Sequence, residues 1–225
     1  MHENFAYYLK NYAPEFPSGR PSQERRARIA DLLKPSLAQF INQHGFVSFH
    51  GGLFRLCDPD EVRPVLELIF RGDKDFTSTD CHVVGYTAFG VLQCWSDRYR
   101  AFQIELPLGT IYCSALTKVD RAAPTATDDH IASGLVLDRE DADFLDAAGE
   151  PMFDRCVAAH GRPTTSECFG FVPALAMSGA FGALHRVENT KRMSAIEHFA
   201  ILAQLQQFHL VAVGREDIVP VRPVG

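Results

Sequence analysis

Four short apolar segments follow one another at residues 81–88, 91–95, 101–106 and 110–115. Each is rich in β-branched and aromatic residues, and each gap is a glycine-containing or charged turn of a few residues. Parallel strands need a crossover of about a dozen residues or more. These gaps are too short for that, so the stretch can only form an antiparallel meander. A meander this apolar must be covered, and the preceding sequence supplies the helices. Residues 4–12 have helical apolar spacing and stop before Pro14. Ser22 caps a second helix whose buried face is Ile29, Leu32 and Leu33. Pro35 restarts a helix at its first position, and Gly45 closes it. Residues 46–49 and 53–56 flank His50-Gly51-Gly52 as strand, turn and strand. Asp58-Pro59-Asp60-Glu61 opens a helix running to about Phe70, with Asp58 as cap and Glu61 in the first turn.

Beyond the meander the pattern changes. Residues 118–133 hold Pro124, several Thr and Ala, and Asp128 and Asp129, and read as a linker. The spacing predicts short helices at 139–148 and 151–160, ended by Gly149 and Gly161. Residues 168–177 and 183–187 flank Ser178-Gly179 as a hairpin. Phe169, Phe171, Val172, Pro173, Ala174 and Leu175 are expected to form its buried seam beneath a last helix. That helix is capped by Asn189 and carries Met193, Ile196, Phe199, Ala200 and Ala203. The expected fold class is α+β. Residues 1–117 form a domain of antiparallel sheet with flanking helices, and 134–225 a smaller, helix-rich domain with a β-hairpin.

The charge is unevenly placed. The 225 residues carry 22 bases and 28 acids, a net charge of −6. Nine acids fall between 120 and 150: Asp120, Asp128, Asp129, Asp138, Glu140, Asp141, Asp143, Asp146 and Glu150. Only Arg121 and Arg139 oppose them, giving 2 − 9 = −7 there and 20 − 19 = +1 elsewhere. This balance disfavours nucleic acid as a partner, since that binding depends on Lys and Arg neutralising phosphates. The acids Asp128, Asp129, Asp138, Glu140, Asp141 and Asp143 are the candidate binding residues. The apolar run 199–213 is broken by Gln204, Gln206, Gln207 and His209, so no membrane span is expected. The first residues lack a basic segment followed by an apolar one, so the expected location is the cytoplasm. The six cysteines, without a Cys-x-x-Cys pair, are expected to be free buried thiols.

Catalytic patterns are sparse. The sequence has no Gly-x-Ser-x-Gly elbow, phosphate-binding loop or dinucleotide fingerprint. His50-Gly51-Gly52 faintly resembles an oxyanion loop, but a tight turn explains it better. Cys81, His82 and Cys94 could ligate zinc only if Cys81 and His82 shared a face, which strand alternation opposes. Neither a metal nor a cofactor is therefore expected. The alternative to a binding protein is a small cytosolic hydrolase using Cys168, with His185 across the expected hairpin, or a carboxylate pair. Phe169 and Phe171 beside Cys168 would raise its thiol pKa and oppose activation.

Two stretches support a resemblance. Residues 51–61 (GGLFRLCDPDE) and 88–95 (AFGVLQCW) resemble the GAD-like domain: a Gly-Leu-Phe strand, an Asp-Pro helix start and a Phe-Gly hairpin leading to Trp. Val91 stands where Asp is usual. Residues 166–179 (SECFGFVPALAMSG) resemble a Tyr-Gly-Phe-x-Pro-Ala-Leu block in the C-terminal domain that accompanies it in type VI secretion immunity proteins. Ser166, Phe169 and Ser178 replace Asp, Tyr and Gly. The resemblance implies a non-enzymatic immunity protein whose partner is a cognate toxin or effector, a DNase, blocked by direct binding at its active or DNA-binding site.

Overall fold

A computed structural model describes residues 1–17, 20–117, 126–178, 182, 184–214 and 217–225. The chain opens with three helices, α1 (Glu3–Asn11), α2 (Gln23–Leu32) and α3 (Pro35–His44). Ser22 caps α2 by accepting from Arg25 N, and Pro35 and Gly45 bound α3. Strands β1 (Ser48–Phe49) and β2 (Phe54–Leu56) pair across the His50–Gly52 turn. His50, Gly51 and Gly52 all have positive φ (55°, 69° and 89°), a run in which glycine costs little and His50 is the strained member. Helix α4 (Pro59–Ile69) starts as its sequence dictates, with Asp58 accepting from Asp60 N.

The meander follows as β3 (His82–Thr87), β4 (Val91–Ser96), β5 (Arg100–Glu105) and β6 (Thr110–Tyr112), each antiparallel to the last. Then come α5 (Ser114–Thr117), α6 (Asp128–Gly134), α7 (Arg139–Ala142) and α8 (Phe153–His160). Strand β7 (Glu167–Phe171) leads into α9 (Leu175–Ser178). It pairs with β8 (Thr190–Ser194), which runs into α10 (Ala195–Leu205). Strands β9 (Phe208–Val213) and β10 (Ile218–Val224) form a terminal hairpin. Parallel pairing of β9 with β6 makes one sheet of eight strands, ordered β1-β2-β3-β4-β5-β6-β9-β10.

The sheet is covered on both faces. Leu92, Cys94, Phe102, Ile104 and Leu210 pack with α4 and α10. Val84, Val91 and Trp95 face α1–α3, α6 and the aromatic residues of the C-terminal half. This alternation places the two cores on opposite sides of one sheet.

Several expectations change. Residues 118–125 of the expected linker lie outside the described residues, and Asp128–Gly134 is helical instead. Residues 139–148 hold only the short α7, because Asp143 turns to cap the next helix. The hairpin partner of β7 is β8 and not 183–187; Gly179 and Ala183 of the expected hairpin lie outside the described residues. Asn189 therefore precedes a strand, and Ser194 stands at the start of the last helix. The seam also splits. Phe169, Phe171 and Leu175 are buried, but Val172 and Pro173 are exposed. Phe169 and Phe171 face away from α10, while Gly170 touches it. A Cβ on Gly170 would lie 2.5 Å from His198 Nε2 and 2.6 Å from Met193 Sδ, so only glycine lets β7 approach α10 and β8 this closely.

Candidate functional site

The acidic segment is folded onto the N-terminal helices, and its carboxylates divide by what holds them. Asp128 accepts from the backbone N–H of Ser36 at 2.8 Å, where its charge meets the positive end of α3. Asp138 accepts from the Tyr12 hydroxyl. Asp143 accepts from Phe144 N (2.8 Å), Phe153 N (2.9 Å) and Met152 N (3.2 Å), satisfying donors at the start of α8. Burial pushes the Asp143 carboxyl pKa up, against the pull of those three N–H groups. Asp146, adjacent in the same turn, accepts from Ala148 N, Glu150 N and the Arg155 guanidinium (2.7 Å). The arginine leads in holding its pKa down at about 2.

The others face water. Asp129 meets His2 Nε2 at 2.9 Å, yet its side chain is 86% exposed. Glu140 and Asp141 are exposed on α7, without hydrogen bond or ion pair among the described residues. The neighbouring Arg139 is turned to Asp154 at 2.7 Å and the backbone of His50. Of the six candidate acids, then, Asp128, Asp138 and Asp143 are engaged within the chain. Asp129, Glu140 and Asp141 carry accessible charge. Asp120 lies outside the described residues.

The His50–Gly52 turn anchors this segment. His50 Nε2 lies 2.9 Å from Leu137 O, and its ring packs 4.6 Å from that of Tyr12. Burial lowers the His50 pKa, favouring the neutral ring. Arg55 holds the next junction: its guanidinium is buried, donates to Gly52 O and Thr164 O, and lies over the Tyr86 ring. Sequence reasoning missed this arginine, because nothing local distinguishes it from a surface base.

Cys168 and His185 do not come together. Cys168 is fully buried on the α10 side of β7, and burial drives its thiol pKa up to about 12. His185 instead packs against Phe144 and Phe171, each with ring centroids 5.2 Å away, on the other side of β7. Cys81 and Cys94 join the α4–α10 core, whereas His82 opens into a hollow of about 430 Å³ beside Trp95, Asp80 and Asp97. Among the described residues, no three or more His, Cys, Asp or Glu side chains converge as a metal site. A cavity of about 350 Å³ lies between β2 and the start of α10, lined by Arg25, Arg55, Cys57, Tyr86 and Ser194. Burial raises the Cys57 thiol pKa well above its ordinary value. Among the described residues, no helix is long and apolar enough to cross a membrane.

Comparison with known proteins follows these two halves. Residues 3–108 match the GAD-like domain, and residues 132–206 match the C-terminal domain of the type VI secretion immunity protein Tdi1. The fold is that of the crystal structure of Atu4351 from Agrobacterium tumefaciens: TM-score 0.86, 24% identity, covering 100% of this chain and 98% of that one. No curated protein matches.

Proposed function

We propose a specific target for this chain, which belongs to the type VI secretion immunity family with a GAD-like domain followed by a Tdi1 C-terminal domain: it neutralises a cognate DNase by occupying its DNA-binding cleft. One observation carries this reading. The whole negative excess lies at 120–150, and Asp129, Glu140 and Asp141 present it to water. A nuclease must offer DNA a positive cleft, and carboxylates can compete with phosphate for its Arg and Lys. They also speed encounter. In this reading the chain acts in the cytoplasm by binding, without catalysis, cofactor or metal.

The test uses the cognate effector, sought among the genes next to this one. Its toxin domain is purified, and plasmid cleavage is followed as the immunity protein is added. Cleavage should stop near one molar equivalent. Continued cleavage despite a stable complex would remove the cleft-blocking mechanism. An effector that binds but cleaves no nucleic acid would remove the DNase assignment.

A further inference from the structure

The cavity of about 350 Å³ between β2 and the start of α10 lies where the two halves of the chain meet. Phe46, Arg55 and Leu56 line it from the first half, and Ser166, Ser194 and Ile196 from the second. We infer that this cavity binds a small organic acid: Arg55, Ser194 and the start of α10 take the carboxylate, and Phe46, Leu56 and Ile196 take the apolar body. Its volume lies at the small end of ligand pockets, which span ~300–1,000 Å³.

Net charge does not choose this ligand. The wall holds two bases, Arg25 and Arg55, and two acids, Asp58 and Glu61. The pairing among them decides. Arg25 donates to both acids, through Nε to Asp58 and at 2.6 Å to Glu61. Asp58 also accepts from Asp60 N at 3.0 Å, so both its oxygens are engaged, and the Glu61 side chain is 59% exposed to water. Arg55 is the base left over. It is 4% exposed, and no carboxylate lies within ion-pair distance of it among the described residues. Glu167 on β7 instead accepts from Thr164 N at 2.8 Å and lies 3.9 Å from Arg192. A guanidinium carries five N–H donors. Arg55 donates to Gly52 O and Thr164 O, and its Nε has no partner among the described residues. A buried charge without a counter-ion is costly, and two carbonyls and the Tyr86 ring offset only part of that cost. A carboxylate completes the pairing, matching the fork of the guanidinium.

The second half adds to this pull. A helix start carries positive partial charge and spare N–H groups. At α10, Ala195 N donates to Ser166 O, and the Ser194 hydroxyl lines the cavity without making a cap bond. Glu197, the acid of this first turn, is exposed and outside the lining. Leu56 and Tyr86 are buried, whereas Ser166 and Ser194 are exposed, so an apolar floor beside Arg55 opens through a mouth of hydroxyls. Phosphate alone would use the charged groups and leave that floor unfilled.

The test titrates the isotope-labelled full chain with benzoate, benzamide and inorganic phosphate, followed by NMR. Benzoate is expected to shift the amide signals of residues 194–197 and the Arg55 Nε–H saturably. Benzamide keeps the ring without the charge, and phosphate the charge without the ring; each should bind on the order of tenfold more weakly. Arg55→Gln should weaken benzoate by a similar factor. Should that variant not fold, Ser194→Ala decides: its hydroxyl holds no cap, so melting should stay near wild type while benzoate affinity falls severalfold. Absence of a saturable benzoate shift overturns the proposal, as do saturable shifts confined to other parts of the surface. Benzamide binding as tightly as benzoate overturns the carboxylate contact, phosphate binding as tightly overturns the apolar one, and the proposal fails with either. Unchanged benzoate affinity in a folded variant overturns it too. No toxin enters the test, so its result is independent of the immunity reading.

Discussion

Neutralising Glu140 and Asp141 should slow toxin association without loosening the fold, whereas removing the Asp143 carboxylate should do the reverse. Glu140→Gln with Asp141→Asn deletes two exposed charges that hold nothing in the chain, so stability should move by no more than ~0.5 kcal/mol. A unit charge pair 4 Å apart in water is worth ~1 kcal/mol, and salt with a Debye length of roughly 8 Å cuts that by about half. Two such pairs lost amount to ~1 kcal/mol, about fivefold in association rate. The slowing should fade as salt is raised. Asp143→Ala instead strands the N–H groups of Phe144 and Phe153, whereas Met152 N keeps its bond to Phe144 O. A lost helix cap costs about 1 kcal/mol, and a buried donor left unpaired about 1–3. The sum is about 2–4 kcal/mol, or a fall of roughly 4–16 °C in melting temperature for a chain this size. Stopped-flow association across a salt series, beside thermal melts, separates the two effects. Unchanged kinetics in the double variant at every salt concentration would refute a role for these charges in encounter.

Phe171→Ala should cost about 3–5 kcal/mol in urea unfolding, because the 3%-exposed ring packs on Phe144 and His185; a loss below about 1 kcal/mol would show that the site collapses or that the ring is not core. Asp73, whose pKa is held at about 2 by the Arg222 guanidinium and the N–H groups of Phe76 and Asp75, ties β10 to the end of α4. A lowered carboxyl pKa gives stability that is full above the unfolded value near 4 and lost as pH falls toward about 2. Wild type should therefore lose about 2 kcal/mol across that window that Asp73→Asn does not; parallel pH profiles of the two proteins would contradict this. Cys168→Ala, if folded, should neutralise toxin as wild type does, since a buried thiol with pKa about 12 is inert at neutral pH. Lost protection with binding intact would place chemistry at the sulfur.

Legibility in the sequence tracks how local the determining physics is. The caps at Ser22 and Asp58, the first-turn prolines at 35 and 59 and the meander turns act within a few residues, and each lies where its sequence requires. The strand β8 failed that test. Thr190-Lys191-Arg192-Met193-Ser194 is short and charged, and it becomes a strand only because β7 offers an edge some twenty residues earlier. The strand β9 is parallel to β6 across almost a hundred residues, so no local pattern could have set its place. The acidic segment shows the same division within a single feature. Its total charge is a property of composition, visible at once. The role of each carboxylate is set by distant partners: Ser36 reaches Asp128 from 92 positions away, and Tyr12 reaches Asp138 from 126. Asp143 is fixed closer by, through the start of α8. What remains exposed after those contacts, Asp129, Glu140 and Asp141, is the part of the charge available to a partner. Leu145, Val172 and Leu184 each follow or precede a buried aromatic ring, and in the sequence they look like core. Only the side of the backbone on which Phe144, Phe171 and His185 lie decides that their neighbours face outward.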